Sequence, residues 1–394
     1  MREATLRIVE PEAPPRAAGV RLTRLTLSDF RSYERLDLAL DGRAVALSGP
    51  NGAGKTNVLE AISLLGPGRG LRGARLEEIA RKDGPGGWAV SARLSDGEDE
   101  QAIGVGAHAG EENRRVVRIG GAPAPGPAAL AGKLRLLWLT PAQDRLFMEG
   151  VGERRRFLDR MTLAHDPAHA RVANDYETAM RQRQRLLDEG CRDDRWLAAV
   201  ETQMAETGVA IAAARRAMAG ALAAAAVTED EGDFPAADLA LDGEIEAMLA
   251  NAPAADVEDD FAARLKASRP ACAAAGRALA GPHRSDFLVT HRAKGAPARL
   301  CSTGEQKALL VGLVLANARA LALRAASHSK GPPLILLLDE IAAHLDEARR
   351  EALYDILYAL GLQCVMTGTD ASLFDGWRGR AQSFAVSDGV IREI

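Results

Sequence analysis

The chain has 394 residues, 47% of them hydrophobic and 26% charged, with a formal net charge of −4. That length supports one large core or two modest ones, and the charge balance excludes a polycation, so any nucleic-acid contact must come from local basic patches. Cys191, Cys272, Cys301 and Cys364 lie far apart without metal-ligand spacing, which points to reduced thiols in a cytoplasmic protein rather than a disulfide framework or zinc site.

Residues 1–19, MREATLRIVEPEAPPRAAG, lack the layout of a signal peptide, and their Pro, Ala and charge content predicts a disordered tail. From Val20 the pattern is strand-like: LTRLTLSDF and LDLAL alternate apolar and polar residues. AVALSGPNGAGKTNVLEAISLL then predicts strand, glycine-rich loop and helix. Short strands are expected in GWAVSARL, AIGVGA and RRVVRIG, with GGAPAPGPAALAG as a loop. From Val151 to about Ala280 the composition is mainly helical, with breaks at Pro235, Pro253 and Pro270 and a weakly defined segment at 228–260. The stretch Val209–Val227 is apolar, but Arg215 and Arg216 mark it as a soluble helix rather than a membrane span. After Gly281 an α/β pattern returns. A long helix is expected from about Gly304, a strand at Leu334–Leu338, a helix through Arg349–Leu360, a strand at Gln363–Thr367, and a terminal hairpin turning at Asp388-Gly389.

Three motifs carry chemistry. GPNGAGKT, comprising Gly49, Pro50, Asn51, Gly52, Ala53, Gly54, Lys55 and Thr56, fits a phosphate loop between a strand and a helix. Its glycines let backbone N–H groups converge on phosphate oxygens, and the helix N-terminus adds positive potential. Lys55 would reach the β- and γ-phosphates, and Thr56 would ligate Mg²⁺. LILLLDE is a strand buried on both faces that ends in two carboxylates. Asp339 would hold Mg²⁺, and Glu340 would orient or deprotonate the attacking water. In CSTGEQKALL, Ser302 is a plausible helix N-cap and Gly304 permits close backbone approach. Alone, the string reads first as an ordinary cap, with an anion site at the start of a core helix as the alternative.

Order and combination extend this reading. Phosphate loop, S-x-G-E, apolar strand with Asp-Glu, and then AHLD (Ala343 to Asp346) resemble the ABC-type ATPase head. The implied fold is α/β, a mixed sheet with flanking helices and an antiparallel β lobe, carrying an inserted, mainly helical arm. The resemblance implies that Ser302, Gly304 and Glu305 form the signature motif, which contacts ATP held by a second protomer. It places Asp346 in the D-loop near the dimer seam and Gln143 at the Q-loop position. Lys55 and Ser302 are farther apart than in transporter heads, and the intervening segment is no uninterrupted heptad array, unlike a true SMC coiled coil.

LTLSDFRSYERLDLAL, WLTPAQDRLFMEGVGERRRFLDRM and GPHRSDF together resemble the RecF family, from about Leu22 to the C-terminus. That resemblance implies a cytoplasmic, weak, DNA-stimulated ATPase that binds ATP and Mg²⁺ and dimerises on ATP. It implies binding to duplex DNA beside single-stranded gaps, with slow hydrolysis as a release switch. RecO and RecR are the implied partners in helping RecA onto gaps, in recombinational repair, replication restart and the SOS response. An SMC-like ABC-type ATPase outside repair is the competing reading. The expected organisation is a tail (1–19), a first head segment (20–150), the helical arm (151–280) and a second head segment (281–394). Thr367-Gly368-Thr369 departs from the family pattern, standing where ABC-type heads carry a histidine.

Basic residues group as Arg69, Arg72 and Arg75; as Arg154, Arg155, Arg156 and Arg160; and as Arg181, Arg183 and Arg185. Each group is a candidate phosphate contact or a solvated helix face. Arg31, close to the phosphate loop in FRSY, is a candidate for touching nucleotide or DNA. His283 and Arg284 are expected to be structural or at the dimer seam.

Overall fold

A computed structural model describes residues 19–111, 114–226, 233–327 and 332–394; the expected tail, apart from Gly19, lies outside them, as do residues 228–232 of the weakly defined segment. The first elements are β1 (Arg21–Phe30), β2 (Tyr33–Ala39), β3 (Ala44–Ser48), α1 (Lys55–Ser63), β4 (Trp88–Ser95), β5 (Glu100–Ala107), β6 (Val116–Ile119), β7 (Ala122–Ala124) and β8 (Arg135–Leu139). Next come α2 (Val151–His165), α3 (His169–Asp188), α4 (Asp194–Ala226), β9 (Ala237–Asp242), α5 (Glu244–Met248), α6 (Ala254–Ala267), α7 (Arg269–Ala275), β10 (Asp286–His291), β11 (Ala296–Pro297) and α8 (Thr303–Ser327). The chain ends with β12 (Leu334–Leu338), α9 (Glu347–Ala359), β13 (Gln363–Gly368), β14 (Ala381–Ser387) and β15 (Val390–Glu393).

Two compact units result. One holds the described residues up to Leu65, with Arg72–Pro123 and Ile335–Ile394; the other holds Gly66–Leu71 and Ala124–Leu334. The main segment of the second unit starts before the expected 151, and it runs past the expected 280 because β10 pairs antiparallel along β9 from Asp286↔Asp242 to His291↔Ala237. A strand cannot leave the ladder that satisfies its backbone N–H and C=O groups, so the segment after Gly281 folds with the helices before it.

In the first unit, an antiparallel sheet runs in the order β2-β1-β4-β5-β6-β7. Leu22, Leu25, Leu27 and Phe30 of β1 are all fully buried although Leu22 and Leu25 are three apart. A register shift against β4 between Leu22 and Arg24 inserts the extra residue and returns the next leucine to the same face. A second sheet carries β3, β12 and β13 in parallel register, with β14 parallel to β3 and β15 returning antiparallel along β14. Every residue of β12 and β13 is buried, as expected of strands covered on both faces. Gln363 is tolerated there because its amide exchanges two hydrogen bonds with the Leu22 backbone, at 2.8 and 2.9 Å. The expected turn at Asp388-Gly389 is present, with φ of +48° and +76°.

The second unit is built around α4, whose inward residues include Met204, Ala205, Val209 and Ala212. They pack with Tyr176 of α3, Ile245 of α5, and Phe261 and Leu265 of α6. Residues 233–260, expected to be weakly defined, instead supply β9, α5 and the start of α6, and Pro253 is the residue that opens α6. By length and composition α4 and α8 could each cross a bilayer. In α4, however, Glu201 is buried against Arg183 (2.9 Å) and Arg269 (2.6 Å), and Arg215 against Asp159 (2.7 Å). Charges matched this closely to other elements of the unit are what a helix inside a globular core needs.

Candidate nucleotide site

The glycine-rich loop hangs between buried β3 and α1, with Gly54 at the helix N-cap in the left-handed region (φ +109°). A Cβ on Gly49 (φ +150°) would lie 2.1 Å from the Val386 carbonyl oxygen, and one on Gly54 would lie 2.7 Å from the Tyr33 hydroxyl. At Gly49 a side chain would run into backbone, and at Gly54 it would displace the Tyr33 hydroxyl while strained by the left-handed φ. The loop is also held from outside. Tyr33 Oη donates to the Gly54 carbonyl (3.1 Å), Gly49 N to the Gly368 carbonyl (3.2 Å) and Gly389 N to the Ala53 carbonyl (3.3 Å). The α1 N-terminus is thereby presented on a fixed backbone.

Lys55 is 4% exposed and curls back to donate to the carbonyl oxygens of Gly49 and Pro50, the latter at 2.8 Å. Burial lowers the pKa of its ammonium from the ordinary value, while Glu340 and Asp339 pull it upward. A counter-charge is thus folded into the curl of the loop, the arrangement an anion requires.

Asp339 and Glu340 follow β12, whose run of aliphatic residues delivers them to the carboxyl end of the parallel sheet. Asp339 accepts from Thr56 Oγ1 at 2.9 and 3.1 Å and from Thr367 Oγ1 at 2.8 Å. Thr367 in turn accepts from the Glu340 backbone N–H at 2.9 Å. Glu340 has φ +55°, a left-handed conformation that costs a non-glycine residue on the order of 1–2 kcal/mol. The Thr56 hydroxyl and Asp339 carboxylate are hard oxygen donors held against each other, a set that fits Mg²⁺. Among the described residues, no group of three or more His, Cys, Asp or Glu forms a closed cage. A cation held by Thr56 and Asp339 would complete its shell from phosphates and water.

The structure therefore brings together Gly49–Thr56, Asp339 and Glu340. The signature residues lie in the other unit. There Ser302 N donates to Glu305 Oε2 (3.0 Å) and Glu305 N to Ser302 Oγ (3.4 Å), a reciprocal cap on α8. Lys294 pairs with Glu305 and, with help from Ser302, holds its carboxyl at about 2. Beyond its chain neighbours and its own helix backbone, Gly304 has no atom within 4 Å of where a Cβ would be. Gln143 Oε1 accepts from Thr140 N (3.1 Å), closing a short 3-10 turn. Asp346 caps α9 by accepting from Arg349 N at 2.9 Å.

Arg31, a candidate for touching nucleotide or DNA, is tied into the fold by other groups. Its guanidinium is bound bidentately to buried Glu60 of α1 at 2.9 and 2.6 Å, with a third donation to the Glu78 carbonyl at 2.5 Å. A fork held this way is a brace between the β1–β2 turn and α1. Arg72 reaches the same Glu60 at 2.6 Å. The cluster at the start of α2 is also largely structural. Arg154 pairs with Asp286 (2.7 Å), Arg155 donates to the Ser285 carbonyl (2.7 Å), and Arg160 lies over the rings of Trp138 and Phe157 at 4.7 and 5.4 Å. Arg183 is buried on Glu201, whereas Arg181, Arg185 and Arg69 are exposed. His283 is structural as expected, with Nδ1 at 2.7 Å from the Tyr176 hydroxyl and Nε2 at 3.2 Å from the Ala278 carbonyl.

Two supporting residues escaped the sequence reading. In sequence Thr367 only stands where a histidine is usual, and its site between Asp339 and Glu340 depends on β12–β13 pairing. Tyr33 sits in the FRSY segment beside Arg31, and its place under Gly54 had no signal beyond that proximity.

Fold and site together define a P-loop nucleotide-binding head of the ABC type, and a profile of the RecF/RecN/SMC N-terminal domain matches residues 21–391. The chain is 54% identical over 376 residues to the DNA replication and repair protein RecF of Mesorhizobium japonicum, covering 95% of this chain and 98% of that one. To the protein of the same name from Brucella suis it is 51% identical over 380 residues, covering 95% and 97%. The solved structure of a recombination mediator protein RecF with ATP, of the RecFOR pathway, superposes with a TM-score of 0.81 at 22% identity, over 98% of this chain and 100% of that one. An Smc head domain from Pyrococcus furiosus matches with a TM-score of 0.52 at 16% identity, over 95% and 96%. The chain belongs to the RecF family of DNA replication and repair proteins.

Proposed function

We propose that this chain is an ATP-gated DNA-binding protein of gap repair whose complete nucleotide site needs two copies. The observation that carries the reading is the contact of Thr56 Oγ1 with Asp339 at 2.9 Å, which joins phosphate loop and acidic strand end into one oxygen-donor site. Backbone N–H groups of Gly49–Thr56 and the Lys55 ammonium would hold the phosphates, with Thr56 and Asp339 holding Mg²⁺. Glu340 would take a proton from the attacking water as the bond to the terminal phosphoryl group breaks, its electron pair leaving with ADP.

Ser302, Gly304 and Glu305 would meet the nucleotide of the second copy, with Asp346 near that seam, and Gln143 would serve catalysis as the Q-loop glutamine. Gly304 supports this. Glycine is a poor helix former, and beyond its chain neighbours and its own helix backbone no atom lies within 4 Å of where a Cβ would stand to demand it. Glu305 and Asp346 already cap their helices, so both would be presented as ordered groups rather than recruited from loose chain. Slow hydrolysis would then act as the release switch in the cytoplasm. DNA would be duplex beside single-stranded gaps, with RecO and RecR as partners in helping RecA, serving replication restart and SOS induction.

Binding to gapped, duplex and single-stranded DNA, with and without ATP across a salt series, tests the reading. Gapped DNA should bind most tightly with ATP, and affinity should fall steeply with salt as phosphate contacts release counterions. DNA affinity indifferent to ATP would contradict it.

A further inference from the structure

We infer that Thr367 is a positioning residue for hydrolysis, setting the direction of the Glu340 carboxylate through the Glu340 backbone. This rests on the proposed hydrolytic role of Glu340. Thr367 is 0% exposed on β13, beside β12 in parallel register, so its hydroxyl is held by the sheet rather than by a mobile loop. That hydroxyl has one hydrogen and uses it on Asp339 Oδ1 at 2.8 Å; its lone pair receives the Glu340 N–H at 2.9 Å. Donor and acceptor roles are therefore fixed, because an ionised carboxylate can only accept and a peptide N–H can only donate.

Glu340 is the residue that needs such a tether. It is the only residue of the Asp339–Glu340 pair with positive φ, at +55°, and a glutamate has no intrinsic preference for that region. Backbone held in an uncommon conformation persists only where its surroundings over-determine it. Here the bond that holds it is the one its own N–H donates to Thr367 Oγ1. The Cα–Cβ direction of Glu340, from which its carboxylate is projected, follows from φ. The same hydroxyl also fixes the Asp339 carboxylate that receives Thr56, so one buried group sets both acidic residues. The hydrogen bonds of the Thr367 hydroxyl go to Asp339 and Glu340, whereas the Lys55 ammonium is held by the Gly49 and Pro50 carbonyls, so the phosphate-binding backbone should survive its loss.

The test compares wild type, Thr367→Val, Thr367→Ser and Glu340→Gln in the full chain. Valine keeps shape and removes the hydroxyl; serine keeps the hydroxyl. With a fluorescent ATP analogue, Thr367→Val should bind within about threefold of wild type, while its turnover falls by on the order of 100-fold, as expected when catalytic geometry is lost without loss of substrate binding. Thr367→Ser should restore most of the rate. Amide hydrogen exchange at Glu340 should accelerate by about tenfold or more in Thr367→Val, since its N–H partner is gone. Unchanged turnover in the valine variant overturns the inference, as does a serine variant as slow as valine, or nucleotide binding lost in parallel with rate. If wild type and Glu340→Gln are equally inactive, the hydrolytic reading has failed. The exchange measurement then decides alone, and an unaccelerated Glu340 amide overturns the tether.

Discussion

Gly49 shows how little latitude the nucleotide loop leaves at single positions. A methyl group there meets the Val386 carbonyl at 2.1 Å in a conformation L-residues rarely adopt. Gly49→Ala should destabilise the protein by roughly 2–4 kcal/mol and weaken nucleotide binding, measured by urea unfolding and by ATP titration. Asp159 carries a different kind of constraint. Burial alone would raise its pKa, but His169 (3.0 Å) and Arg215 (2.7 Å) hold it at about 2. A carboxyl depressed on folding contributes stability above its unfolded value, roughly 4, and that contribution fades as pH falls through the folded value. Urea midpoints should therefore drop between about pH 4 and pH 2, and Asp159→Asn should flatten that dependence. Neither ion-pair partner was legible in the sequence. The RRRFLDR run showed several arginines, but whether each meets DNA, solvent or a buried acid depends on strands and helices far away in sequence. The same holds for Arg31, since Glu60 is invisible as its partner until α1 is placed beside the β1–β2 turn.

At the scale of elements, local pattern carried well and long-range pairing did not. The phosphate loop, the apolar strand of β12, α8 and the terminal hairpin announce themselves through periodicity and turn chemistry that act within a few residues. The β9–β10 ladder joins residues on both sides of the expected boundary at 280, and no local signal records it. The start of α8 was legible in both of its readings. As a cap, Ser302 exchanges hydrogen bonds with Glu305. As a contact for a second copy, it should tolerate substitution without loss of nucleotide binding. Ser302→Arg should leave ATP affinity within about twofold, cost about 1 kcal/mol in stability from the lost cap, and abolish ATP-dependent dimers. Fluorescence titration, chemical unfolding and sedimentation read these separately. Loss of ATP binding itself would leave only the capping role.

For the whole molecule, the glycine loop and the signature string belong to different compact units of one chain. Family membership establishes a role in DNA replication and repair, and a site completed only by a second copy would make ATP the control on assembly. Glu340→Gln keeps the phosphate loop, Thr56 and Asp339 and removes the group proposed to accept the proton. Sedimentation of Glu340→Gln at saturating ATP and Mg²⁺ is the decisive measurement: a stable dimer that falls back to monomer when ATP is replaced by ADP is the expected result, and a monomer under both conditions would contradict the two-copy site.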